Sequence, residues 1–168
     1  VKESIAHSFG GDYKSPNKEL AKFVTSVLQQ EGIDAATVLK VDPTGLTITF
    51  KSALFFDTLS ADVSAKGKVV LARLIDAVSE RQEVETKRYR VVVEGHTDGR
   101  PILGGSYPSN CELSGARASK VIRMFQDKGF NADRLTAIGY AGTYPVAEER
   151  DSTGAWVEDS LSKNRRVV

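Results

Sequence analysis

Apolar residues at helical spacing mark where the patterned part of this chain begins. Residues 1–14 are polar, contain glycine and show no periodicity, which reads as a polar linker. Ser15 and Pro16 then supply a capping hydroxyl and a first-turn proline. Leu20, Phe23, Val24, Val27 and Leu28 follow on one helical face as far as Gly32, predicting an amphipathic linker helix within 15–34. Two β-rich runs, 37–41 and 46–51, flank Asp42-Pro43-Thr44-Gly45, a sequence suited to a tight reversal, and predict a hairpin. Leu71, Leu74, Ile75 and Val78 mark a second helix from Ser64 to about Ser79, and the apolar "YRVVVEG" reads as a strand. A third helix, Ser114 to Lys128, carries Ala118, Val121, Ile122 and Phe125 on one face and ends at Gly129. "RLTAIGY" and the terminal "RRVV" add two strands.

This order predicts an α+β domain over residues 35–168, a mixed β-sheet with two long helices packed on one face, because strand-helix-strand units prefer one crossover hand. The N-terminal amphipathic helix stands outside that unit. Its stripe needs a surface, offered by this domain or by a second copy, and as a peripheral element the helix is expected to act as a releasable latch.

Composition narrows the partners. The 168 residues suit one domain with an appendage, and a formal net charge of +1 gives no bulk attraction to nucleic acid or to a membrane surface. The single cysteine, Cys111, excludes an internal disulfide framework. No apolar run is long enough to cross a bilayer and "VKESIAHSFGG" lacks a signal-peptide core, so any anchoring segment is expected outside this sequence.

The chemistry concentrates in "GHTDGRPILGGSYPSNCELSGARASK", residues 95–120, which sets Asp98 against Arg117 across a loop. Asp98 follows a strand's carboxyl end, where binding groups are commonly displayed. Taking Ser114 as the N-cap of the third helix places Arg117 in its first turn, where a cation works against the helix dipole and needs compensation. Asp98 and Arg117 could simply pair with each other. Alternatively they could hold a ligand bearing both charges, an ammonium on Asp98 and a carboxylate in the Arg117 fork, with Thr97 and Asn110 as neutral partners. Metal chemistry is disfavoured, since His7 is the only histidine besides His96. Glu112 beside Cys111 would raise a thiol pKa, against a nucleophile. Trp156 reads as a loop anchor.

These residues resemble the OmpA-like peptidoglycan-binding domain, and within it the branch of the flagellar motor stator B subunit (MotB). The resemblance is carried by Gly95 to Asp98, by Asn110, Leu113, Ser114, Arg117 and Ala118, by Gly139-Tyr140, and by Asn164 to Val167. It covers roughly residues 46–168, and the loop "TDGRPI…YPSNCELSGARA" is similar to that of motor proteins. The resemblance implies that Asp98 and Arg117 hold the diaminopimelate of a peptidoglycan stem peptide. Thr97, Asn110, Leu113 through its backbone, and Arg165 would complete the pocket. It also implies a non-catalytic wall anchor without cofactor or metal, periplasmic, homodimeric, and joined to a stator A subunit through a membrane segment before residue 1. A non-flagellar OmpA-like anchor, such as an outer-membrane protein or peptidoglycan-associated lipoprotein, is the alternative, and a wall hydrolase a more distant one. Two departures stand out. Cys111 replaces a tryptophan usual in stators, and Leu161 stands where an arginine is common, beside a longer loop around Trp156.

Overall fold

The computed structural model describes residues 16–168. Helix α1 spans Pro16–Gln30; the Ser15 cap lies outside the described residues. Its stripe is buried at Leu20, Val24 and Leu28, while Phe23 is partly exposed. The surface it covers is this domain's own: α1 packs on the second helix and on the first hairpin. Asn17 Nδ2 donates to the Asp42 carbonyl at 3.0 Å, and Arg73 pairs with Glu31.

The hairpin is β1, Thr37–Asp42, and β2, Gly45–Lys51, paired antiparallel with Asp42 opposite Gly45. The Asp42 carboxylate clamps the turn by accepting from the N–H groups of Thr44 at 2.8 Å and Gly45 at 3.0 Å. Helix α2, Ala65–Glu85, starts where Ser64 Oγ accepts from the Gly67 N–H at 3.0 Å. It runs beyond the expected end near Ser79 and stops at Thr86, whose φ of 51° breaks the helix. Strand β3 is Val91–His96, helix α3 Asn110–Asp127, and strand β4 Leu135–Ala141. A short helix α4, Glu158–Asn164, precedes β5, Arg166–Val167. Seven mostly polar residues gave α4 no readable period.

The sheet order is β1-β2-β5-β3-β4, parallel between β3 and β4 and antiparallel elsewhere, so the fold is the mixed sheet expected. The last strand inserts centrally, with Val167 opposite both Phe50 and Gly95. One apolar cluster unites Val24 and Leu28 of α1, Leu71, Leu74 and Ile75 of α2, and Val121 and Phe125 of α3 with Phe50, Val93 and Val167 of the sheet. Alternation sends Val92 to the other face, where it is exposed. Among the described residues no helix is long and apolar enough to cross a membrane.

Helix α3 lies almost against the strand backbones. A Cβ on Gly95 would stand 2.2 Å from the Ser114 carbonyl oxygen, and one on Gly139 2.4 Å from the Gly115 nitrogen. Only glycine permits this approach. Ser114, fully buried, locks it by accepting from the Ala141 N–H at 3.0 Å and donating to the Cys111 carbonyl at 3.1 Å.

Ser114 is therefore not the N-cap. The cap is Ser109, whose Oγ accepts from the Cys111 N–H at 3.2 Å and also bonds Glu112. Ser109 and Glu112 form a capping box directly after Pro108, a stronger start signal than Leu113-Ser114. Arg117 consequently sits in the third turn of α3, and the dipole cost expected for it does not arise.

Candidate functional site

Strand β3 delivers Thr97 and Asp98 to its carboxyl end, both buried. The Thr97 N–H donates to the Ala141 carbonyl at 2.9 Å, and its hydroxyl donates to the Asp98 carbonyl at 2.9 Å, fixing the chain as it leaves the sheet. Asn110 Nδ2, at the start of α3, donates to the Arg100 carbonyl at 2.8 Å and holds the returning loop. Leu113 buries its side chain, and its N–H donates to the Ser109 carbonyl at 3.2 Å within the helix.

The Asp98 carboxylate is densely bonded. Oδ1 accepts from the Arg100 backbone N–H at 3.0 Å. Oδ2 accepts from Arg100 Nη2 at 2.8 Å, Arg100 Nε at 3.2 Å and Arg165 Nη1 at 2.7 Å. Burial alone would raise this carboxyl, but the hydrogen bonds from Arg100 and Arg165 outweigh it and hold it below the ordinary value. Arg165 also donates from Nη2 to Glu158 Oε1 at 2.8 Å, so α4 enters the site through Glu158.

Arg117 does not bond Asp98, which removes the direct pair from the alternatives. Arg117 is 5% exposed, and its guanidinium donates from Nε to the Ser60 carbonyl at 2.8 Å and from Nη2 to the Asp57 carbonyl at 3.1 Å and lies 5.1 Å from the Phe56 ring centroid. Burial pulls its pKa down from the ordinary value. Among the described residues no carboxylate pairs with Arg117, and no hydrogen bond engages its Nη1. Two backbone carbonyls and a ring face orient a cation but leave its charge without an anion.

The frame around the site explains the sequence at its edge. Asn164, fully buried, accepts through Oδ1 from the N–H groups of Val146 at 2.7 Å and Ala147 at 3.0 Å. Its Nδ2 donates to the Ala147 carbonyl at 2.8 Å and to Glu149 Oε1 at 2.9 Å. Glu149 in turn accepts the Gly99 N–H at 2.9 Å, so one asparagine ties the loop before α4 to the loop after β3. Leu161, noted above as a departure, is buried. Trp156 remains 41% exposed and stacks with the Arg150 guanidinium, 3.6 Å from the ring centroid. Cys111 is exposed in the first turn of α3.

His96 does not join Asp98. It is buried, stacks on Tyr140 with centroids 5.1 Å apart, and leaves Nδ1 without a partner. Sequence reasoning missed Arg100, Glu158 and the carbonyls of Asp57 and Ser60. Arg100 was findable, since the residue two positions after a loop Asp commonly donates back to it.

A family description follows from the comparison with known proteins: the OmpA family model matches residues 55–156, more than half of the sequence, and the chain belongs to that family. Within the family it is MotB-like. It is 30% identical over 145 residues to Motility protein B of Bacillus subtilis, covering 86% of this chain and 51% of that protein. A MotB-like protein from Desulfovibrio vulgaris shares the fold with a TM-score of 0.74 at 22% identity, covering 90% of each chain. The cell wall anchor of the T6SS from Pseudomonas aeruginosa is similar with a TM-score of 0.69 at 28% identity, covering 86% of this chain and 92% of that one. The chain spans about half the length of the curated relatives it matches.

Proposed function

We propose that this domain is a non-catalytic anchor that grips peptidoglycan through the zwitterionic end of a diaminopimelate side chain. Asp98 takes the ammonium and Arg117 the carboxylate. Thr97, Asn110 and Leu113 hold the loop and helix that carry them, and Arg165 lines the ammonium side. The observation that carries this reading is Arg117, a buried arginine without a carboxylate partner among the described residues. A buried charge without compensation is costly, and a ligand carboxylate on the open Nη1 supplies the missing anion.

The MotB-like character supports assignment to a flagellar motor stator. In this reading the domain lies in the periplasm as part of a homodimer, joined to a stator A subunit and the inner membrane by a segment outside this sequence. Similarity to a wall anchor of the T6SS favours a second reading, in which the same grip serves a non-flagellar machine. The wall-binding step is common to both. Incubation with purified sacculi tests it: the domain is expected to co-sediment and release no soluble fragments. Failure to pellet would overturn the anchor, and fragment release would make the domain a hydrolase.

A further inference from the structure

The two oxygens of Asp98 are unequally used. Three N–H groups converge on Oδ2, from Arg100 at 2.8 and 3.2 Å and from Arg165 at 2.7 Å, whereas Oδ1 accepts only the Arg100 backbone N–H at 3.0 Å. A carboxylate oxygen offers two lone pairs, so Oδ2 is crowded and Oδ1 has room for one more donor. The Asp98 side chain is 8% exposed, and an incoming ammonium must displace something to reach it.

The two arginines are not equivalent obstacles. Arg165, 31% exposed, is held at its other end by Glu158 Oε1 at 2.8 Å. Arg100 is more open, at 43%, and its Nη1 stands 3.8 Å from Glu158 Oε2, too long for a hydrogen bond yet within ion-pair range. The backbone N–H of Arg100 holds Oδ1 independently of its side chain. The guanidinium can therefore leave Asp98 for Glu158 while the loop keeps its place.

We propose that the Arg100 side chain is a plug in the ammonium half of the site, bonded to Asp98 when the ligand is away and displaced toward Glu158 when it binds. This rests on the two-charge reading above and adds a specificity device to it. A bare ammonium would have to displace a guanidinium with nothing gained elsewhere. A zwitterion offsets that cost by docking its carboxylate on Arg117, 5% exposed and without an anion of its own among the described residues. The plug also keeps Asp98 compensated between binding events, which a buried carboxylate requires.

Titration of free meso-diaminopimelate and of Nα-acetyl-lysine amide, whose capped α groups leave a bare side-chain ammonium, into the whole chain, the Arg100→Ala variant and the Asp98→Asn variant tests this. Arg100→Ala is expected to bind diaminopimelate about two- to fivefold tighter, the equivalent of releasing one half-exposed ion pair. The capped lysine should gain at least as much, so that the preference for the zwitterion narrows, while Asp98→Asn binds neither. Arg100→Gln, which keeps a polar stem, repeats the test should the alanine variant fold poorly. Equal or weaker diaminopimelate binding by both Arg100 variants, with Asp98→Asn still inactive, would overturn the plug and leave the two-charge site standing. No binding by the unmodified chain would instead remove the underlying reading.

Discussion

Arg165 and Asp98 close the domain on itself: the residue that precedes the last strand donates from Nη1 to the carboxylate at the end of β3 across 2.7 Å. Because burial, which raises the folded-state pKa of Asp98, is outweighed by the hydrogen bonds from Arg100 and Arg165, the stabilisation from these bonds is fully present above the unfolded carboxyl value of about 3.9. It is lost as pH falls through the lower folded value. Asp98→Asn is thus expected to unfold less steeply with acid below about pH 4 than the unmodified domain. Urea titrations at several acid pH values measure this, and parallel acid slopes would contradict it.

His96 adds a second pH dependence in a different window. Burial first, and the Arg166 charge second, push its pKa down to about 4. Between the ordinary value of about 6.5 and the folded value the unfolded chain binds a proton that the folded one refuses, so stability falls as pH drops. The loss over that interval is on the order of 3 kcal/mol, a ceiling set by the linkage. His96→Phe, which preserves a ring against Tyr140, is expected to flatten the stability profile between pH 6.5 and 4. A slope that persists in the variant would assign it to other groups.

The approach of α3 to the sheet has a direct test. Gly139→Ala would set a methyl group 2.4 Å from the Gly115 nitrogen and 2.6 Å from its Cα, both backbone atoms that cannot turn away. Destabilisation of about 1–3 kcal/mol or more is expected. Gly104→Ala, with nothing within 4 Å of the added Cβ, should change thermal stability little. Equal melting shifts for the two would contradict the packing described.

Periodicity made the long elements legible. Leu20, Val24 and Leu28, the α2 stripe and the Val121–Phe125 face all point inward as their spacing indicates. The start of α3 was misplaced because two serines compete for the cap, and Ser114 is the buried one that ties α3 to β4. The site was legible as a pair of opposite charges, yet not as a geometry. Arg117 finds its partners in the Asp57 and Ser60 carbonyls, and Asp98 finds one in Arg165. These contacts span 57 to 67 positions, and backbone carbonyls carry no sequence signal.

The claim that the site holds a ligand by both of its charges is tested most directly by pelleting with sacculi in the presence of free competitors. Diaminopimelate should release the domain from the wall, whereas Nα-acetyl-lysine amide, whose capped α groups leave a side-chain ammonium with no carboxylate beside it, should release it poorly. Arg117→Ala should pellet weakly with its circular dichroism unchanged, since stranding one charge of a desolvated pair typically costs about 2–5 kcal/mol. Equal release by the capped lysine and by diaminopimelate, together with normal pelleting of Arg117→Ala, would contradict the two-charge grip.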